Sequence, residues 1–490
     1  MGLRINTNVA ALEALRNLSG SDRAQRKSLE RLSTGLRINR AADDPSGLVI
    51  SEQLRSQVRS LRQAAENSQN ASNLLGTAES ALNEVSSLLT QIRESIVFSL
   101  NSNSAEQVAA EQDAVDNAIS SIDRIAQTTK FANRNLLDGT SAINVTSTVG
   151  SQLSFINVQN AQFDGVSQLT LQLNLTGLAS RAGGSGLLLG SAFVSAVGQT
   201  IVRITGNKGT EDITLASGAG SANFRSAVNA VTGNTGVFAS TNARLYSVEY
   251  GSDQTVSVEV VSGTAVFGAT SYTNASGIQS DNGADAVANL QGATVSAKGN
   301  KLRVLSSFFT GDIRLLDAAT AGAGAANKRF KIKKSGLSFQ LNTSDALSDR
   351  ERIGLRNLDP STLGSKTRSI PGQAGNTITI GGFLTSLQSG GANDLDSSSE
   401  NALRIIDDVI DQVTDVRAYV GAFQKQTIDT NTASLEVAAE NLAASESDIR
   451  DLDFAAETAE FTRVQILFQT GTAVLGQANQ IAQTVLTLLR

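Results

Sequence analysis

Residues 475–490 read LGQANQIAQTVLTLLR, and within them Leu475, Ala478, Ile481, Val485 and Leu488 recur at steps of three and four. That spacing puts them on one face of a helix. Chain termini usually fray unless something ties them down, so this stripe needs a partner. Going back to Phe461, the only charges are Arg463 and Arg490, and Ile466, Leu467, Ala473, Val474 and Leu486 lie off the main stripe. A helix so poor in charge is normally buried on more than one side. Gly471 and Gly476 each weaken it by about 1 kcal/mol relative to alanine. Packing, not propensity, must hold it.

The first forty residues offer one partner, because Val9, Leu12, Leu15 and Leu18 form a similar stripe. They carry eight basic and three acidic residues, whereas Glu400 to Arg463 carries fourteen acidic and five basic ones. Opposite charge favours bringing the two ends together, although screened surface pairs add little stability. A lone helix pair is marginal in water, and one partner leaves apolar surface over. Other copies of the chain are expected to cover it. Head-to-tail packing without ring closure gives an open helical filament.

Composition narrows the chemistry. The 490 residues hold no histidine, cysteine or tryptophan, and aromatics make up 4%. Without histidine there is no imidazole base, zincin motif or Ser-His-Asp triad. Without cysteine there is no thiol nucleophile, thiolate metal site or disulfide. A net charge of −6 does not suggest nucleic acid. No apolar run reaches the roughly 18 residues of a membrane span, and MGLRINTNVAALEALRN lacks the layout of a cleavable signal peptide. No Gly-Lys dipeptide, G-x-S-x-G elbow or EF-hand loop occurs. No enzymatic activity and no cofactor is expected.

The spacing predicts helix from Asn8 to about Asp138. Asp44 and Pro45 suit a helix start. Behind them Leu54, Leu61, Leu75, Leu82, Leu89 and Ile96 keep one seven-residue register, with Ser68 its polar member. SNSAEQ breaks the seam near Asn103, and a second helix is expected from about Ala105 to Gln127. Towards the other end, Ile406, Val409, Val413, Val416, Val420 and Phe423 form another seam. Ser445 with Asp448 reads as a cap for the last helix. From about Thr140 to Ser399 the composition shifts to Gly, Ser, Thr, Asn and Ala. QLTLQLNLT alternates strictly, and RLYSVEY, QTVSVEVVSG, NKLRVLSS, KRFKIKKSGLSFQL and NTITIGGFL read as strands, with a short helix across FRSAVNAV.

Both ends closely resemble bacterial flagellin, through INTNVAALEALRNL, SLERLSTGLRINRAADDPSGLVISEQLRSQ and NRNLLDG, then AAENLAASESDIRDLDFAAE and QILFQTGTAVLGQANQIAQTVLTLLR. The resemblance implies an α+β multidomain fold, with the N- and C-terminal helices paired in a coiled-coil bundle and β-rich modules inserted in the middle. The domains expected are 1–43, an N-terminal filament-core helix; 44–178, a helical coiled-coil domain; 179–398, a β-rich outer insert of one or two modules; 399–447, a C-terminal coiled-coil domain; and 448–490, a C-terminal filament-core helix. It implies a subunit exported without a cleaved signal that polymerises outside the cell for swimming. A hook–filament junction protein, or a filament subunit whose insert is an adhesin or enzyme, is the alternative.

The assembly interface expected from these stripes comprises Val9, Leu12, Leu15, Leu54, Leu61, Leu82, Leu89, Phe461, Val464, Phe468, Leu475, Ile481, Val485 and Leu488. Further partners implied by the resemblance are hook-associated and cap proteins and an export chaperone at the C-terminus. A host Toll-like receptor would sense LTQIRESIV, where Arg93 and Glu94 match the family pattern and Gln91 and Ser95 depart from it. A solvated face packing between neighbours is the plainer reading of Arg93 and Glu94. Likewise Asp43, Asp44 and Glu52 read as a cap and a charged helix face sooner than a carboxylate site, and KRFKIKK as a strand with one basic face.

Overall fold

The computed structural model describes residues 8–488 apart from 103, 150–152, 164–165, 184–192, 241–242, 268–269, 274–275, 292, 307, 316–327, 344–349 and 372–376. The helices are α1 (Val9–Thr34), α2 (Pro45–Asn101), α3 (Ala105–Thr128), α4 (Ser221–Ala230), α5 (Thr232–Thr235), α6 (Leu395–Phe423), α7 (Thr430–Arg450) and α8 (Phe454–Leu488). The chain divides into two compact units. One is Met1–Ser68, Leu341–Thr343 and Thr430–Arg490; the other is Gln69–Gln340 and Ser344–Asp429.

In the first unit α1 and α8 run antiparallel. Asn8 Nδ2 donates to the Ala478 carbonyl at 3.0 Å, and Ser28 Oγ donates to Glu457 Oε1 at 2.5 Å. Asn8 also caps α1 by accepting from the Ala11 amide. Gly35 ends the helix with φ of +72°, a conformation that costs glycine little, and its N–H returns to the Arg31 carbonyl. The strand-like segment after it pairs with the α7–α8 connection: Arg37 N–H donates to the Arg450 carbonyl at 2.8 Å and Leu452 N–H to that of Gly35 at 3.0 Å. Asp44 accepts from the Gly47 amide at 2.9 Å, the cap expected for α2. The cap expected at Ser445 is corrected. That residue lies inside α7, where its hydroxyl bonds to the Asn441 carbonyl, and Asp453 receives the first free amides of α8, those of Ala455 and Ala456.

The second unit has a helical core. The heptad stripe of α2 meets the inner faces of α3 and α6, burying Leu75, Leu82, Leu89, Ile96, Ile122, Ile406 and Val409 completely. Two larger sheets follow. One runs in the order Val145–Val149, Lys328–Lys333, Gln168–Gly177, Val287–Leu290, Ala293–Lys298, Lys301–Leu305, Phe309–Leu315, Leu153–Ala161, with each neighbouring pair antiparallel. Phe330 and Phe309 stand five strands apart, which in a flat sheet would mean roughly 24 Å. Their ring centroids are 5.9 Å apart. The sheet is therefore rolled, with Leu171, Leu173, Leu290, Val304, Ile313 and Ile332 inside it. The other sheet has Thr255–Phe267 and Phe193–Thr205 at its centre and is covered by α4, whose Phe224 meets Phe267 edge-on at 5.6 Å.

These sheets correct one expected boundary. Three strands between Val145 and Gly177 belong to the rolled sheet together with strands from Val287 to Lys333. A division at residue 178 would cut that sheet, and the helical part ends with α3. Among the described residues, each of the two larger sheets has a hydrophobic core of its own.

Candidate assembly surface

The α1–α8 pair has a thin seam. On α1 the buried residues are Ala14 and Ser28; on α8, among the described side chains, they are Val464 and Ala478. Gly471 explains one close approach, since a Cβ there would stand 3.3 Å from Leu18 Cδ1. Polar links hold the rest. Glu457 takes the Ser28 hydroxyl and Arg31 Nη1 at 3.5 Å, and Asn8 Nδ2 donates to the Ala478 carbonyl; beside the pair, Arg450 Nη1 of α7 reaches Glu52 Oε1 of α2 at 2.6 Å.

Large apolar side chains instead lie outside the seam. Val9, Leu12 and Leu15 are 64%, 56% and 51% exposed, and Ile466, Leu467 and Val474 are 55%, 46% and 57% exposed. Leu29, Val49, Ile50, Val437 and Phe454, in the same unit, are also exposed. Apolar side chains scattered singly on a surface need no explanation; here six large ones stand exposed on one helix pair.

The expected interface residues divide accordingly. Val9, Leu12 and Leu15 are exposed, and Leu54, Leu61, Phe461, Phe468 and Leu475 are half-buried. Leu82 and Leu89 are corrected: both have no exposure, being consumed in the helical core of their own unit. Val464 is corrected on the same ground, at 3% exposure. The side chains of Ile481, Val485 and Leu488 lie outside the described residues. Val49 and Ile50 are also exposed, and they fall off the heptad register of α2.

The other candidate residues are engaged as caps and pairs. Asp43 bonds to Lys27 Nζ at 2.7 Å and to the amides of Asn39 and Arg40, and these contacts, Lys27 foremost, lower its pKa to about 2. The Asp44 carboxyl is held below its usual range by the Gly47 amide, and that of Glu52 by Arg450. Arg93 Nε bonds to Asp407 Oδ1 at 2.9 Å. Glu94 is exposed beside a shallow groove lined also by Ile92, Phe98, Glu111 and Ala118.

Comparison with known proteins places both ends of the chain in one family. Residues 5–142 match the bacterial flagellin N-terminal helical region and residues 403–489 the bacterial flagellin C-terminal helical region. The B-type flagellin of Pseudomonas aeruginosa is 31% identical over 517 residues, covering 100% of both chains. The chain belongs to the flagellin family. Among other flagellins, that of Salmonella rubislaw is 29% identical over 99% of both chains, and that of Clostridium tyrobutyricum 29% identical over 98% of this chain and 100% of its own. A solved structure of FliC from Burkholderia pseudomallei is 15% identical, covers 72% of this chain and 98% of its own, and superposes with a TM-score of 0.24, too low to carry weight. The two matched helical regions bracket the β-modules of this flagellin-family chain.

Proposed function

We infer that the protein is the structural subunit of the bacterial flagellar filament, and that α1 and α8 drive its assembly by packing against other copies. The observation that carries this is the α1–α8 pair, which buries small residues in its seam and leaves Val9, Leu12, Leu15, Ile466, Leu467 and Val474 about half exposed or more. A surface of that kind is stabilised when neighbours cover it. In this reading the subunit works outside the cell and has no enzymatic activity; the absence of histidine and cysteine supports the latter.

The proposed partners are other copies of the chain, hook-associated and cap proteins, and an export chaperone that shields the exposed apolar residues of α8 beforehand. A Toll-like receptor is a proposed partner at Arg93 and Glu94, both exposed on α2. Electron microscopy of purified protein seeded with filament fragments tests the central reading. Growth of long tubes supports it, and persistent monomers above micromolar concentration count against it.

A further inference from the structure

We propose that a cleft between the two larger sheets and α6 binds a carboxylated sugar. The cleft encloses about 480 Å³, within the size range of small-molecule sites. One wall is the turn joining Phe193–Thr205 to Thr210–Leu215, which contributes Asn207 and Lys208. The others are the rolled sheet, the hairpin of Gly364–Pro371 with Thr377–Phe383, and α6. Hydrogen bonds fix the turn. Gly206 N–H donates to the Gly209 carbonyl at 2.9 Å, and Lys208 N–H to that of Thr235 at 3.3 Å. A Cβ on Gly206 would stand 2.1 Å from the Thr235 carbonyl oxygen, so glycine is what lets the turn pack this closely. A Cβ on Gly236 would stand 3.4 Å from Lys208 Cγ, which lays the lysine stem against the cleft wall.

Several charges in the cleft are already matched within the molecule. Lys301 lies 3.2 Å and Arg314 3.4 Å from Asp408, Lys298 lies 2.9 Å from Asp253, and Arg93 holds Asp407 at 2.9 Å. Lys208 differs from these, since among the described residues no carboxylate lies within ion-pair distance of its ammonium. Desolvation, and after it the neighbouring Arg404 guanidinium, hold its pKa below the usual lysine value, and an anion seated there would relieve both. The side-chain amides of Asn207 and Gln254, the Thr367 hydroxyl and the Asp411 carboxylate line the same cleft without a hydrogen bond to any described residue.

The free groups select the ligand. One unmatched cation suits a single carboxylate, which it engages through a charge-assisted hydrogen bond. Two amides and a hydroxyl both donate and accept, and Asp411 accepts only, so together they suit several hydroxyl groups. The apolar residues of the wall, Val248, Leu315 and Ile380, are buried and leave little for an apolar ligand to cover. A phosphate dianion would gain from Lys208 but face Asp411 with no hydroxyl to offer it. A sugar carrying one carboxylate uses every free group. The free monosaccharide and the end of a glycan chain share that chemistry, and the assay separates them. The inference concerns this cleft alone and is independent of the assembly reading, so it is tested on unpolymerised protein.

Isothermal titration calorimetry of the full chain is the assay, with glucuronate, a short oligosaccharide ending in glucuronate, glucose and inorganic phosphate as the probes. Glucuronate or the oligosaccharide should bind at least about tenfold more tightly than glucose or phosphate. Tighter binding of the oligosaccharide makes a chain end the natural ligand, and tighter binding of glucuronate makes it the free sugar. Lys208→Gln should lose about tenfold or more with an unchanged circular-dichroism spectrum, and Lys208→Arg should keep most of the affinity. Asn207→Ala and Thr367→Ala should each lose about threefold, which keeps the test open if Lys208→Gln misfolds. Lys130→Gln, an exposed cation outside the cleft, should change affinity less than about twofold. No binding of either carboxylated probe, equal binding of glucose or phosphate, unchanged affinity in the cleft variants, or an equal loss in Lys130→Gln would overturn the proposal.

Discussion

Replacing Leu12, Ile466 and Leu467 together by glutamine tests what the exposed residues of α1 and α8 are for. Their exposures of 56%, 55% and 46% mean that about half of each side chain is still in water in the single chain. Full burial of a large aliphatic side chain is worth about 1.5–3 kcal/mol, so covering the remaining half contributes about 1 kcal/mol per residue. Losing three such contributions costs about 3 kcal/mol per subunit added, which raises the critical concentration for growth about 100-fold. Monomer stability should hardly move, because exposed substitutions usually change it by within about 0.5 kcal/mol. Seeded polymerisation measures the first quantity, by sedimentation over a series of protein concentrations. Thermal unfolding of the unpolymerised chain measures the second. A critical concentration within threefold of wild type would refute the reasoning. So would a loss of monomer stability large enough to account for the defect.

Other residues give separable outcomes. Leu82→Ala, at a position without exposure in the helical core, should lower unfolding stability by about 2–5 kcal/mol in urea titration. The protein that remains folded should still elongate seeds, since Leu82 faces no neighbour. Gly76→Ala, in the middle of α2 with open space around its missing Cβ, should stabilise the chain by about 0.5–1 kcal/mol in the same titration. Asp43 has its pKa lowered from 3.8 to about 2, so its contribution is present above pH 3.8 and is lost as pH falls through about 2. Asp43→Asn should therefore be less stable than wild type at pH 6, and the difference should close as both are acidified towards pH 2.

The helices could be read from sequence because their signals are local. The heptad positions Leu75, Leu82, Leu89 and Ile96 all turned out buried, and Asp44 caps a helix that begins at Pro45. Ser445 misled because a serine followed by an acid three residues on looks like a cap even where a helix runs straight through it. The true stop lies six residues later, where Asp451 pairs with Leu36, a contact between distant parts of the chain that no local signal carries. The rolled sheet escaped for a similar reason. Alternation marks Gln168–Gly177 as a strand, but nothing within it says that its neighbour is Lys328–Lys333. At the candidate surface, periodicity shows which side of a helix is apolar without telling whether the cover comes from within the molecule or from another copy. Leu82 and Leu12 sit in comparable stripes, yet the first is sealed inside and the second stands in solvent.

The chain has no cysteine, so a Val474→Cys variant carries a single thiol at a position 57% exposed on α8. Its rate of maleimide labelling, compared between free protein and seeded filaments, asks directly whether other copies cover that helix. Rapid labelling of free protein and protection by at least tenfold after polymerisation is the expected result. Equal labelling of both forms would contradict the claim that neighbouring copies complete the α1–α8 surface.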